Sequence, residues 1–113
     1  MGDCLFCKIV GKEIPSKLEF ESDSLIAFHD INPQAPTHLL VVPKKHIARV
    51  SETDSSDGAL IGELVLTARD IAKKKGLENG YRLVFNNGPE AGQTVFHVHL
   101  HLLGGRRMTW PPG

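Results

Sequence analysis

The sequence has no excess of charge of either sign, since 13 lysines and arginines balance 13 aspartates and glutamates. Without a basic surplus, the composition does not indicate a nucleic-acid-binding protein. The apolar runs are far shorter than the roughly 20 residues that span a bilayer, and the N-terminus lacks the basic and apolar regions of a signal peptide. We therefore expect a soluble, cytosolic protein that binds neither nucleic acid nor membranes and folds as a single domain over residues 1–113.

Cysteine is scarce as well, because the chain has only Cys4 and Cys7, in a C-x-x-C motif. Such a motif has three interpretations: two free buried cysteines, a redox pair, or half of a zinc site. A redox pair normally follows a strand, for which three residues leave no room. A zinc site needs two more ligands, and neutral imidazoles are the obvious candidates. The motif by itself does not decide between zinc and plain cysteines.

Histidine, by contrast, is concentrated in one stretch, Val95–Leu103, which reads VFHVHLHLL. His97, His99 and His101 alternate there with aliphatic residues at a strict period of two. This period predicts a β-strand over 95–103, because successive side chains of a strand point to opposite faces. We expect the aliphatic side chains to pack against a core and the three imidazoles to stand in a row on the other face.

The histidine row has three explanations. Packing alone is a poor one, because aliphatic side chains would pack better and each imidazole needs its own hydrogen-bond partners. A single metal ion cannot bind the whole row, since His97 and His101 start ~13 Å apart at about 3.3 Å per residue. The third explanation is a row that faces an anionic substrate, with the middle imidazole, mostly neutral near pH 7, as nucleophile. An imidazole that attacks phosphorus forms an N–P bond that water can cleave.

The remaining elements follow from apolar periodicity and turn residues. We predict a short helix over 4–10 that ends at Gly11, and strands over 18–21, 25–29, 38–42 and 81–86. Between the strands 38–42 and 81–86 we predict an amphipathic helix of about five turns. It carries an apolar stripe from Leu60 to Ala72 and ends at Gly76. The continuous apolar run of the third strand predicts burial on both faces. The loop over 86–94 makes the last two strands a hairpin.

These segments resemble a known family. The stretch VFHVHLHLL is similar to the H-x-H-x-H-x-x signature of the histidine triad superfamily. Nearly the whole chain resembles its Hint branch, the purine nucleoside phosphoramidases, through the segments IPSK, AFHDINPQAPTHLLVVPKKHI, GYRLVFNNG, AGQTVFHVHLHLLGGR and WPPG. The resemblance implies an α+β fold, a five-stranded antiparallel meander with two helices. It also implies a homodimer in which two subunits form a ten-stranded sheet.

The resemblance further implies an activity, the hydrolysis of the P–N bond of adenosine and guanosine 5′-phosphoramidates, with acyl-adenylates as further candidate substrates and a nucleoside monophosphate as product. His99 would be the nucleophile that carries the nucleotidyl group. His101 would bind a phosphate oxygen, and His38 would hydrogen-bond with His99 and set its tautomer. No catalytic cofactor is implied.

The nucleotide-binding residues are also carried over from the family. The apolar slot for the purine would consist of Phe6, Ile9, Phe28 and Ile31. Asp30 would hold the ribose hydroxyls. The phosphate-side loop would consist of Asn86, Gly92, Gln93 and Thr94. The C-terminal tail would bring Trp110 toward the active site of the partner subunit.

The C-x-x-C motif departs from many eukaryotic Hint proteins, which lack it. Other members of the superfamily that have it bind zinc through both cysteines, the histidine of the PK-x-H segment and the first histidine of the triad. The matching residues here are Cys4, Cys7, His46 and His97. The resemblance thus implies a structural zinc ion with four protein ligands and no open position. A nucleotide-binding scaffold and a zinc-dependent hydrolase remain as alternative functions.

Overall fold

The computed structural model describes residues 3–113. The helices and strands are α1 (Leu5–Val10), β1 (Leu18–Glu21), β2 (Leu25–His29), β3 (Thr37–Pro43), α2 (Gly58–Lys74), β4 (Tyr81–Val84) and β5 (Leu100–Gly104). Single 3₁₀ turns lie at Val50–Glu52, Ser55–Asp57 and Pro89–Ala91. Within residues 3–113 no helix has both the length and the apolar character required to traverse a membrane.

The five strands form one antiparallel sheet in the order β1-β2-β3-β5-β4. The predicted five-strand sheet is confirmed, but the predicted meander is wrong after β3, because β5 lies between β3 and β4. The burial of the two strands explains the exchange. Every second residue of β5 is buried, whereas β4 has an exposed Tyr81 and otherwise half-buried residues. The more apolar strand of the hairpin takes the inner position, and the more polar one lies at the edge.

The sheet has a separate apolar cluster on each face. Leu39 and Val41 of β3 point toward α2, and Leu40 and Val42 point toward α1. The expected burial of this strand on both faces is therefore confirmed. The α2 face also contains Leu25, Ala27, Leu64, Ala68, Ile71, Ala72, Val98, Leu100 and Leu102. The α1 face contains Phe6, Ile9, Ile26 and Phe28.

The histidine strand begins later than predicted. Regular pairing of β5 with β3 starts at Leu100 and not at Val95. The reason is the chain that follows Pro43, since the N–H of Val98 donates a 2.7 Å hydrogen bond to the carbonyl of Ile47. The main chain at Val98 is therefore bonded to the segment after β3, while the imidazole of His97 donates to the carbonyl of Pro43 at the end of β3. The alternation persists, because Val98 and Leu100 belong to the core under α2.

The end of β4 also differs from the prediction. β4 ends at Val84, two residues before the predicted end at Asn86.

The turn before α2 is capped by Asp54, whose side chain accepts from the N–H of Ser56. The Asp57 carboxylate in turn accepts from the N–H of Asp54. This reciprocal pair satisfies N–H groups that a helix start would otherwise leave free.

Replacement of Leu64 by Ala tests the core under α2. Leu64 is fully buried, so its loss leaves a cavity and should lower the free energy of unfolding by about 2–5 kcal/mol. The matched variant Leu18→Ala removes the same atoms from a residue that is 45% exposed and should cost less than about 1 kcal/mol. Urea unfolding followed by circular dichroism measures both. Equal losses would contradict the assignment of the core.

Candidate functional site

A cleft of about 380 Å³ opens on the α1 face of the sheet, within the range of about 300–1,000 Å³ of small-molecule sites. Its apolar walls are Leu5, Phe6, Ile9, Ile14, Pro15, Phe28, Ile31, Leu40 and Val95. Its polar groups come from Ser16, His29, Asp30, Thr94, His99 and His101. An apolar slot with a few polar groups is the usual character of a ligand pocket. Most of the predicted nucleotide-binding residues are thus brought together here.

The remaining predicted residues lie outside this lining. Trp110 is 84% exposed on the C-terminal tail. Gly92 has a φ of +92°, a left-handed conformation that glycine adopts without steric cost, and Asn86 is half-buried beside the same loop. His38 is buried behind the cleft wall. Ile31 lines the cleft but is 99% exposed, so it lies at the mouth.

Gln93 is committed to holding the loop over 86–94. Its side-chain oxygen accepts from the N–H of Gly88 at 2.8 Å, and its Nε2 donates to the carbonyls of Ala48 and Val95 at 2.8 and 3.1 Å. Its own N–H donates to the carbonyl of Gly88. Every donor of Gln93 is therefore engaged. Its predicted contact with phosphate stays a prediction, and in this arrangement its part is to shape the loop.

A larger depression of about 550 Å³ lies between the end of α2 and the C-terminal tail. It contains none of the histidines. Two of its arginines already donate to main-chain carbonyls, Arg82 to Thr109 at 2.7 Å and Arg106 to Gln34 at 3.0 Å. The smaller cleft, by contrast, is lined by His29, Asp30, His99 and His101.

The tautomer of His99 is set by its own chain. Its Nδ1–H donates a 2.7 Å hydrogen bond to the carbonyl of His97. The proton of a neutral imidazole is then on Nδ1, so the lone pair is on Nε2. His99 lines the cleft, and among residues 3–113 its Nε2 has no hydrogen-bond partner. This nitrogen is free to act as a nucleophile.

His38 is paired with His101 and not with His99, which corrects the expectation that His38 sets the tautomer of the nucleophile. The N–H of Gln34 donates to Nδ1 of His38 at 3.0 Å, so Nε2 of His38 carries the proton and donates to Nδ1 of His101 at 2.9 Å. His101 then carries its own proton on Nε2. The register of the sheet explains the pairing, because His101 lies opposite Leu40, two residues from His38 on the same face.

Burial keeps these imidazoles uncharged near neutral pH. Desolvation lowers the pKa of His38 and that of His99. Desolvation, followed by the charges of His99 and His38, lowers the pKa of His101 to about 4. The carboxylate of Asp30, 3.4 Å from Nε2 of His38, opposes this effect and does not outweigh it. The cleft therefore holds one neutral imidazole with a free lone pair, His99, and one that donates from Nε2, His101.

Beside the cleft, the two cysteines meet two imidazoles. Nδ1 of His97 lies 3.4 Å from Sγ of Cys4 and 3.5 Å from Sγ of Cys7, and Nδ1 of His46 lies 3.3 Å from Sγ of Cys7 and 3.2 Å from Nδ1 of His97. A tetrahedral zinc ion with Zn–N bonds of about 2.0 Å and Zn–S bonds of about 2.3 Å holds its ligand atoms roughly 3.3–3.8 Å apart. The four predicted ligands are thus together at nearly the required spacing.

The protonation of the cluster also suits a metal ion. Nε2–H of His97 donates to the carbonyl of Pro43 at 2.8 Å, so the Nδ1 lone pair points at the thiols. Metal-binding histidines commonly donate their second ring N–H to a carbonyl in this way. Cys4 also accepts a hydrogen bond from the N–H of Cys7 at 3.4 Å, which holds its sulfur beside that of Cys7. The residues present therefore fit a zinc ion.

A second group of potential ligands, Asp30, His38 and His101, does not fit a metal ion in the same way. Gln34 donates to Nδ1 of His38, so the other nitrogen of that ring points a proton at His101. A metal at this position would require a lone pair there. The group is a hydrogen-bonded chain that positions His101.

The family of the protein follows from its similarity to known proteins. Residues 11–108 match the HIT domain. The chain belongs to the HIT family.

Three relatives show how close the similarity is. A 14 kDa zinc-binding protein of Zea mays is 48% identical over 111 residues, which is 96% of this chain and 87% of that protein. A solved HIT family hydrolase from Legionella pneumophila Philadelphia 1 is 54% identical, with a TM-score of 0.97, over 98% of this chain and 100% of that chain. A histidine triad nucleotide-binding protein from Candida albicans is 32% identical, with a TM-score of 0.82, over 96% of this chain and 83% of that chain.

Membership of the HIT family confirms the resemblance drawn from the histidine triad. The close superposition on the Legionella structure also confirms the α+β architecture of a five-stranded antiparallel sheet with helices.

Sequence reasoning missed the groups that set the imidazole tautomers, which are the N–H of Gln34 and the carbonyls of Pro43 and His97. No sequence signal marks them, because every residue has these main-chain groups. Leu5 could have been found, since it precedes Ile9 by one helical turn.

Replacement of His101 by Asn tests the buried imidazole chain. The pKa of His101 is about 4 in the folded protein against an ordinary 6.5, so unfolding takes up a proton between these pH values. The folded state of the wild type therefore loses stability as the pH falls from 6.5 toward 4. Asn takes up no proton, so the unfolding free energy of the variant should depend on pH less steeply, by about one proton. The unfolding free energy of each protein is measured by urea titration at several pH values in this window. Equal pH dependence of the wild type and the variant would show that the pKa of His101 is not lowered.

Proposed function

We propose that this HIT protein is a purine nucleoside phosphoramidase, which hydrolyses the P–N bond of adenosine and guanosine 5′-phosphoramidates. One observation carries the proposal: Nδ1 of His99 donates to the carbonyl of His97, so the lone pair of Nε2 is available in a largely apolar cleft. The names of two relatives support it, one a HIT family hydrolase and the other a nucleotide-binding protein.

The apolar part of the cleft suits a flat aromatic base. The rings of Phe6 and Phe28 lie 5.5 Å apart and nearly perpendicular, and Ile9 is buried beside them. These walls offer dispersion and burial without hydrogen-bond readout of the base, which suits both adenine and guanine. Asp30 lines the same cleft, and its Oδ1 accepts from the N–H of Asn32. Its Oδ2 lies 3.4 Å from Nε2 of His38 and would accept from ribose hydroxyls as well.

The histidines then perform a double displacement. Nε2 of His99 attacks the phosphorus, the P–N bond breaks, and the amine leaves with a proton from water. Nε2–H of His101 donates a hydrogen bond to a phosphate oxygen, and His38 holds His101 in that tautomer. Water next attacks the phosphorus of the nucleotidyl-His99, the N–P bond breaks, and a nucleoside monophosphate leaves. The second bond is easier to cleave than the first, which is the benefit of a covalent intermediate.

We propose in addition that the cluster of Cys4, Cys7, His46 and His97 binds a structural zinc ion. The fit of the ligand atoms supports this, as does the similarity to a zinc-binding protein of Zea mays. Such an ion would cross-link α1 to the rest of the fold. Four protein ligands would fill a structural zinc site and leave no position for substrate, which argues against a zinc-dependent hydrolase.

A homodimer is the further part of the proposal. A ten-stranded sheet requires pairing through an edge strand, and β1 and β4 are the edges. Trp110 is highly exposed and outside the cleft of its own chain, so it is available to a partner subunit. Light scattering should give a mass of about twice 12.4 kDa. A mass of 12.4 kDa at all concentrations would contradict the dimer.

Replacement of His99 by Ala tests the mechanism. Loss of the nucleophile should lower kcat/KM for adenosine 5′-phosphoramidate by at least about 1,000-fold, while circular dichroism stays unchanged. A denaturing quench followed by mass spectrometry should find an adenylyl group on the wild type and none on the variant. Leu66→Ala, at a half-exposed position of α2 on the other face of the sheet, is the activity control. Full turnover by His99→Ala would refute the mechanism.

The same kinetics separate an enzyme from a nucleotide-binding scaffold. A kcat/KM of ~10⁴ M⁻¹s⁻¹ or above for the wild type indicates an enzyme. Tight binding of AMP together with a far lower kcat/KM would favour the scaffold.

A further inference from the structure

The short helix α1 contributes to both sites at once. Cys4, its N-cap, and Cys7 contact the imidazoles of the metal cluster. Phe6 and Ile9, on the same six-residue helix, are buried and line the cleft. The ring of Phe6 lies edge-on to the nucleophile His99, with 5.0 Å between ring centroids. One wall of the base-binding slot is therefore attached to the metal ligands through less than two helical turns.

Few contacts besides those of the cysteines hold α1 in place. A helix of six residues is far below the length at which isolated helices are stable in water, so its order must come from docking. It belongs to no strand pairing, and two of its side chains, Phe6 and Ile9, are buried in the apolar cluster of the α1 face. The ion pair of Lys12 with Glu21, just after the helix, is exposed and stabilises little. The cysteine cluster is thus the second anchor of α1, beside these two apolar side chains.

We propose that the metal ion bound by Cys4, Cys7, His46 and His97 positions α1 and thereby sets the affinity of the cleft for the base of a nucleotide. Cys4 and Cys7 are positioning residues in this view, since they act through Phe6 and Ile9. The inference rests on the proposed function in taking a purine nucleotide as the ligand.

The groups at the phosphate end have anchors outside α1, in addition to the contact of His99 with the ring of Phe6. The N–H of Val98 donates to Ile47, the imidazole of His97 donates to Pro43, and His101 pairs with His38. These contacts connect β3 and the segment after it with β5 and the segment that leads into it. Removal of the metal should therefore loosen the base slot and leave the reacting groups in place. The consequence is a split effect, with weaker binding and a preserved chemical step.

The test compares the zinc-loaded protein with the chelated protein, with AMP as the probe. If chelation lowers the docked fraction of α1 to about a tenth, the Kd for AMP measured by calorimetry should rise about tenfold. KM for adenosine 5′-phosphoramidate should rise similarly, with kcat at saturation within about threefold. Amide hydrogen exchange should accelerate over residues 8–11 and stay unchanged in β3 and β5. Added Zn²⁺ should reverse each change.

Two variants serve as controls. The double variant Cys4→Ser/Cys7→Ser should resemble the chelated wild type and should not respond to chelator or Zn²⁺. Asp30→Asn should weaken AMP binding while α1 keeps its exchange protection and its response to the metal. Should the double variant fail to fold, chelation of the wild type gives the same comparison.

Three outcomes would overturn the inference. AMP affinity within twofold in the two forms, with unchanged exchange in α1, would show that the metal does not position the slot. Accelerated exchange in β3 and β5 as well would show that the metal holds the whole fold. Absence of AMP binding in both forms would remove the proposed function together with the inference, whereas the first two outcomes leave the proposed function intact.

Discussion

The alternation of side chains along residues 97–102 is the constraint on which the site depends. Val98, Leu100 and Leu102 are buried under α2, so the histidines between them must face the α1 side. A slip of one residue would bury the imidazoles in the apolar core and place aliphatic side chains in the cleft. The packing energy of the core therefore also orients the imidazoles. This is why a row of imidazoles can be built on an inner strand of the sheet.

Main-chain groups then give identical side chains different chemical roles. The carbonyl of His97 leaves His99 with a free Nε2, while the N–H of Gln34 acts through His38 to leave His101 with a proton on Nε2. The carbonyl of Pro43 accepts from Nε2–H of His97, so the lone pair of His97 is on Nδ1 and faces the cysteines. Because turns and sheet contacts hold these groups, the tautomers need no charged partner. Burial keeps the rings neutral, which suits a nucleophile, a donor and a metal ligand alike.

The cleft and the cluster of Cys4, Cys7, His46 and His97 share their supporting elements. His97 and His99 are two residues apart and face different groups, and α1 contributes two cysteines to the cluster and an apolar wall to the cleft. The histidine side of the cleft is carried by the sheet, and the loop over 86–94 is closed by Gln93. The apolar side includes a helix of six residues. The cleft thus has one side built on the sheet and another built on a short helix.

The sequence alone determined the strands, the amphipathic helix, the apolar face of the histidine segment and the family. These features depend on periodicity within a few residues, which the chain shows directly. The tertiary structure decided the place of β5 inside the sheet, the departure of residues 95–99 from β3 and the pairing of His38 with His101, which are 63 residues apart. It also committed Gln93 to the loop. Such contacts depend on strand register and on main-chain groups common to all residues, and no local pattern encodes either.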